Sequence, residues 1–378
     1  MYNNLNFQEK IQFFMKKQKK KTGRQAVLGL VVTGFLILTY TIFAGSSVAK
    51  VEDNKNKFTA SFVGDMMFGR NVEDVIDQRG ADFLFEKVQP IFNQSDYVSG
   101  NFENPILLQD EEKYEKVDKN IHLYAPKESV QAVKNAGFSI INLANNHMMD
   151  YGAVALEETI DTFNKAKLPN VGAGSDVEEA TNIEYSNING IKVATVGFTD
   201  ALVKDFSAHK FTPGVARATP ENIVPTLQNA EKNADLVIVN VHWGIEYNKN
   251  PSERQEKMAH AISEAGADVI IGHHPHVLSD IELYEKNDSD EKTVIFYSLG
   301  NFIFDQGWTR TKDSAIAQYH ISQEGKKSIE VIPLRIKESQ PYVTRNPYYR
   351  NKIFKQLTGS LKRDEYTKES GRLFIDLN

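Results

Sequence analysis

Five short apolar runs in this chain each end on side chains that can hold a metal. Asp65 follows TASFVG, and Glu103 follows DYVSGNF. Asn146 and His147 follow FSIINLAN, His242 follows DLVIVNV, and His273, His274 and His276 follow DVIIG. Oxygen and imidazole donors of this kind suit one or two divalent cations. IIGHHPHVL is the strongest local signal, because three imidazoles in four residues are costly to bury without partners. Pro275 stiffens that segment, and neutral imidazoles in it suit a transition-metal or zinc-like ion. In LANNHMMDYG an amide oxygen can ligate a metal while His147 donates a proton to a leaving group. Asp150 either orients that imidazole or caps a helix starting near Gly152. In GDMMFGR, Asp65 can ligate a hard cation and Arg70 can clamp an anionic group through its fork of donors. In GNFENP, Glu103 sits between Asn101 and Asn104, a cluster that either orients a metal shell or forms an Asx-type turn. YSLGNFIFDQGW places Ser298, Gly300, Asn301 and Asp305 after a further strand, where backbone amides near the glycine can bind an anion or simply turn the chain.

Residues so far apart in sequence meet only if the fold collects them. In an open α/β sheet the loops leaving the carboxyl ends of the strands line one crevice. The sequence from Lys57 onward alternates strands with helices. Gly152 to Lys165 carries Leu156, Ile160 and Phe163 at helical spacing. Asn250-Pro251-Ser252 opens a second helix, with Pro251 at its first position and Ser252 and Gln255 as a capping box. Met258, Ala261, Ile262 and Ala265 are its expected buried face, and Gly266 its stop. NIEYSNINGIKVATVGF reads as a hairpin turning at Asn189-Gly190, and AIAQYHISQEGKKSIEVIPLRI as one turning near Glu324-Gly325. EEKYEKVDKN is a charged loop, expected at a rim or lid. The pattern predicts a layered α/β domain with two sheets over about residues 57–337. Residues 338–378 read as an extension carrying a helix and an edge strand.

The remaining sequence bears on location. Ala26 to Ala44 is uncharged for nineteen residues, long enough for one bilayer-spanning helix. KKQKKKTGR precedes it and places residues 1–25 in the cytoplasm and the main domain outside. Ser47-Val48-Ala49 loosely resembles a cleavage site, but the apolar stretch exceeds a usual signal core, so an uncleaved anchor followed by a tether over 45–56 is expected. Phe7, Ile11, Phe14 and Met15 share a helical face that suits the inner membrane surface or a membrane partner, with a frayed tail as the alternative. Residues 1–50 hold eight Lys/Arg and one acid, leaving 36 basic and 49 acidic residues beyond them, a net of −13. No basic stripe for nucleic acid is present, and a polyanionic partner needs local basic groups or a bridging cation. The absence of cysteine excludes disulfides, zinc–thiolate sites and cysteine nucleophiles.

Taken in order from Lys57 to Arg310, GDMMFGR, GNFENP, LANNHMMDYG, VHWGIEY, GHHPHVL and YSLGNFIFDQ resemble the CapA/PgsA-type poly-γ-glutamate capsule synthesis proteins, a branch of the calcineurin-like metallophosphoesterase superfamily. The resemblance implies a four-layer α/β/β/α sandwich and a role in making or exporting poly-γ-glutamate at the cell surface. Membrane-bound synthetase subunits and the polymer itself are the implied partners. Carried over by motif, Asp65, Glu103, Asn146, His242, His274 and His276 are the implied ligands of divalent metal, with Mn, Fe and Zn all compatible. His147 is the implied acid near a leaving group. The chain departs from the superfamily pattern at Met67, where a histidine is usual, and at Gly272, which is followed by HHPH rather than His-x-His. Two activities fit these residues: an accessory component of capsule assembly, or a metal-dependent hydrolase of a cell-surface substrate.

Overall fold

The computed structural model describes residues 6–19, 21–44, 56–201, 203–287 and 291–378, with the side chains of 36–44 outside that set. Two compact units divide the chain, Met1–Ser46 and Ser47–Asn378. The first holds the helices Phe7–Lys19 and Thr22–Ala44. Among the described residues no helix is long and apolar enough to cross a membrane. The stretch expected to anchor the chain, 26–44, is helical, but half of its side chains lie outside the described residues, as do 45–55 of the expected tether.

The second unit is a mixed α/β body built on two large sheets. Its sequence dictates this directly. Runs such as Leu236–His242 and Val269–His273 are buried at every position, the signature of central parallel strands covered on both faces. In the larger sheet Phe58–Met66 lies parallel to Tyr97–Phe102, which lies parallel to Ile140–Asn142. The other edge of Phe58–Met66 pairs antiparallel with Asp313–Ile321 and, near Asp65, parallel with Asn301–Ile303. In the second sheet Ile191–Thr199, Leu236–His242, Val269–His273 and Lys292–Phe296 run parallel, with antiparallel edge strands Glu184–Ile188 and Ile281–Glu285.

Three apolar clusters set the layer order. Phe58, Ala60 and Phe62 of the larger sheet pack with Val193, Ile238, Val269 and Val294 of the second. Leu156, Ile160 and Phe163 of the helix Gly152–Lys165 cover the outer face of the larger sheet with Val63 and Met66. Ile223, Leu227, Ala259 and Ile262 of the helices Pro220–Asn233 and Glu253–Glu264 cover the outer face of the second sheet with Val196, Val237 and Val239.

Local features follow the sequence with small departures. The two hairpins turn at Asn189-Gly190 and near Gly325, with positive φ at all three residues. Ser252 and Gln255 form the capping box, but Pro251 lies outside the cap and Glu253 is the first helical residue. Ile262 and Ala265 are buried and Met258 packs partly against the same cluster, as expected, but Ala261 faces out and Ala259 and Ser263 are buried instead. Residues 338–378 supply the strand Gln340–Val343, the helix Pro347–Leu357 and the strand pair Tyr366–Glu369 and Arg372–Asp376. Both Gln340–Val343 and Arg372–Asp376 pair with Lys327–Lys337, so this segment is woven into the larger sheet.

Candidate metal centre

The parallel strands of both sheets end at one edge of the sandwich, and the predicted donors meet there. Asp65 sits at a register shift in the strand Phe58–Met66; an irregularity of this kind re-aims side chains at strand ends. Gly64 makes the shift possible, because a Cβ there would lie 1.8 Å from the Gly300 carbonyl oxygen. The Asp65 carboxylate faces His273 Nδ1 at 3.4 Å and His276 Nδ1 at 3.3 Å, and accepts from the His274 backbone N–H at 3.2 Å. Asn101 donates to Asp65 Oδ1 at 2.9 Å, while its own carbonyl accepts from Asn142 and Asn145. The second strand therefore fixes the direction of the first strand's carboxylate.

Glu103 is fully buried one residue beyond Tyr97–Phe102, and neither of its carboxylate oxygens has a hydrogen-bond partner. His242 Nε2 stands 3.4 Å from Glu103 Oε1, and His276 Nε2 stands 3.7 Å from the same oxygen. His242 Nε2 also lies 2.9 Å from Asn146 Oδ1. His273 Nδ1 and His274 Nδ1 are likewise buried without a hydrogen-bond partner. Three overlapping donor sets result: Glu103 with His242 and His274, Asp65 with Glu103 and His276, and the exposed Glu246 with His274 and His276. Several of these separations exceed hydrogen-bond length and match the ~3–3.5 Å edges of a ligand shell around an ion at about 2.1 Å.

The HHPH segment is shaped for this. His274 has φ 95 and His276 has φ 56, left-handed values on either side of Pro275 that an ordinary loop avoids. The turn aims both imidazoles inward, and Asn301 Oδ1 holds His276 Nδ1 at 2.9 Å. Burial pushes the Asp65 carboxyl up, but His273 and His276 outweigh it and hold it well below its ordinary value. Burial also raises Glu103, well above its ordinary value. Burial and the neighbouring His274 keep His242 neutral, and burial with His276 lowers His274 to about 3. Burial opposes protonation of His276, yet Glu103 and Asp65 raise it to about 9. Neutral His242 and His274 offer lone pairs to a cation, beside the Asp65 carboxylate and the Glu103 oxygens. With no sulfur donor, the set fits Mn, Fe or Zn.

Beside these donors His147 Nδ1 lies 2.7 Å from Asp150 Oδ2. A carboxylate only accepts, so Nδ1 carries the hydrogen and Nε2 is the free nitrogen. Asp150 also accepts from the Leu123 backbone N–H at 2.8 Å and from Lys119 Nζ at 2.6 Å. Asp150 is thus the orienting partner of the imidazole rather than a cap for the helix, whose N-cap residue is Tyr151 without a side-chain cap. Burial lowers the His147 pKa against the opposing pull of Asp150.

The family model of the bacterial capsule synthesis protein PGA_cap matches residues 59–306. The chain belongs to that family. Full-length relatives agree: "Capsule biosynthesis protein CapA" of Bacillus anthracis is 46% identical over 100% of this chain and 92% of its own. "PGA biosynthesis protein CapA" of Bacillus subtilis strain 168 is 44% identical over 100% of this chain and 98% of its own. Among solved structures, a 5'-nucleotidase precursor from Thermus thermophilus aligns over 79% of this chain and 57% of its own, at 13% identity and a TM-score of 0.43. A likeness that loose assigns nothing to this chain.

Within this family member, the six residues expected to ligate metal, Asp65, Glu103, Asn146, His242, His274 and His276, gather at one place. His273 is turned instead to Asn240 and Asp65 and belongs to none of the three donor sets. Met67 packs in the outer apolar cluster, its sulfur accepting from the Gly69 N–H, and so supplies nothing to the donor sets. Arg70, expected to clamp an anion, has its guanidinium 2.5 Å from Asp305 and over the Phe304 ring. The Gly300 amide, a candidate anion donor, is taken by Ser298 Oγ at 3.1 Å. Lys119 is the contributor that sequence reasoning missed. It sits in the charged loop, where one lysine among several charges carries no signal.

Proposed function

We propose that this chain is a membrane-anchored component of poly-γ-glutamate capsule biosynthesis or export, with an outer metallophosphoesterase-like domain that holds divalent metal. Family membership and two full-length relatives bearing capsule and PGA biosynthesis names support the capsule role. The uncharged stretch 26–44 behind its lysine-rich flank supports the anchor, with residues 1–25 inside. Membrane-bound synthetase subunits and the polymer are the proposed partners; the net-acidic outer domain argues against nucleic acid.

One observation carries the metal reading: the Glu103 carboxylate is buried without a hydrogen bond while imidazole nitrogens face it. Such a group is costly unless a cation neutralises it. Asp65, Glu103, Asn146, His242, His274 and His276 would hold the ion. A cation there supplies Lewis acidity to a ligand oxygen. Asp150 and Lys119 fix the His147 ring, whose free Nε2 can hold or release a proton beside that ligand.

Metal analysis of the purified full chain tests this reading. Wild type should retain divalent metal after desalting, and His276→Ala should bind it at least about tenfold more weakly. Metal-free wild type, or equal binding by the variant, overturns it. The His147–Asp150 pair favours a second reading, a metal-dependent hydrolase, since it leaves the imidazole Nε2 free beside the donors. Capsule yield from a deletion strain carrying His147→Ala separates the two. Lost capsule with metal retained indicates catalysis, and normal capsule indicates an accessory role.

A further inference from the structure

On a domain with a large acidic surplus, one cavity carries four cations against two carboxylates among its twelve lining residues. It has a volume of about 460 Å³ and lies between the segment that follows His276 and the helix Pro347–Leu357. Val277, Leu278 and Ile353 form an apolar part of its wall, and Lys249, Arg310, Lys352 and Lys355 provide its positive charge. Two carboxylates offset part of that charge, Asp313 through ion pairs and Asp280 by facing Lys249. Asp313 is bonded by Arg335 and by Lys352, and Asp280 accepts from Ser360 Oγ at 3.0 Å. Lys249, Arg310 and Lys355 make no ion pair among the described residues.

We propose that this cavity binds a chain of spaced carboxylates whose methylene segments rest on the apolar wall. Unpaired single cations around an apolar surface match that chemistry. Closely spaced phosphates favour clustered arginine forks or convergent backbone amides, and Arg310 is the single arginine lining this cavity. Val277 and Leu278 directly follow His276, so a chain seated here runs beside the metal centre. The proposal rests on the capsule-polymer reading and gives it a specific binding surface. It also resolves the electrostatic obstacle, since the local cations offset repulsion from the acidic body.

The test is fluorescence anisotropy of a labelled γ-linked glutamate oligomer with the full chain in detergent at low salt. Lys249→Glu with Lys355→Glu should weaken binding at least tenfold. Lys232→Glu with Lys326→Glu, two exposed positions outside the cavity, should change it less than twofold. All four side chains are exposed, so the fold is expected to survive, and unchanged melting verifies that. Equal effects of the two pairs, or no binding by wild type, overturn the proposal. So does equal competition by polyphosphate of matched charge. A deletion strain rescued by wild type but also by the cavity pair shows the capsule reading standing while the cavity fails. No rescue by wild type sinks the capsule reading itself.

Discussion

Glu103 is buried with no donor to either oxygen, an arrangement that destabilises a fold unless a cation is present. The sign of a substitution there therefore depends on metal. Glu103→Gln should stabilise the metal-free protein by about 1 kcal/mol or more at neutral pH, because an amide is neutral at no cost, whereas the buried carboxyl must either take up a proton far above its ordinary pKa or stay charged. It should also shrink the stabilisation that added metal confers. Thermal melts with and without chelator measure both effects, and a metal-free variant less stable than wild type would contradict the assignment. Asp65 behaves differently, since Asn101 and the His274 amide already satisfy it. Asp65→Asn should cost stability with or without metal.

At the scale of elements, two glycines separate packing from backbone handedness. Gly64→Ala forces a Cβ against the Gly300 carbonyl and should cost about 3 kcal/mol along with metal binding, because Asp65 is displaced. Gly190→Ala meets no atom within 4 Å but sits at φ 79, and should cost about 1 kcal/mol with metal binding intact. Denaturant melts read both. Ser252→Ala removes the capping box and should cost about 1 kcal/mol. These elements were legible because their signals are local. The hairpin at Asn189-Gly190, the capping box and the fully apolar strands each follow from short-range chemistry. The candidate ligands were legible for a related reason: each stands directly after an apolar run, and the carboxyl ends of parallel strands share an edge. Lys119 reaches His147 from a loop by tertiary packing alone, and no local pattern marks it. In the helix Glu253–Glu264 only Ala261 was misplaced, because burial at the border of an apolar stripe is set by the neighbouring helix and strand rather than by the residue's own hydrophobicity.

Across the whole molecule, the larger sheet is tied to its last strand by a buried ion pair. Arg372 bonds Glu330, and His320 Nε2 lies 3.5 Å from the same carboxylate. Burial raises the Glu330 pKa, but His320 and Arg372 outweigh it and hold it below its ordinary value of 4.5. A depressed carboxyl stabilises the fold above 4.5, and that contribution is lost as pH falls through the lower folded value. Glu330→Gln should cost about 3 kcal/mol at neutral pH, with the gap to wild type closing as pH drops below 4.5. Denaturant titrations at several pH values check this, and a gap independent of pH would refute it. The strand Phe58–Met66 has a different consequence. It lies between Tyr97–Phe102, made soon after it, and Asp313–Ile321, made near the end. During synthesis one border of this central ribbon must wait, bare and adhesive, until Ile321 arrives to face Phe58. A nascent chain of this design needs shielding from its own kind for most of its time on the ribosome, and shortening that wait by circular permutation should speed refolding.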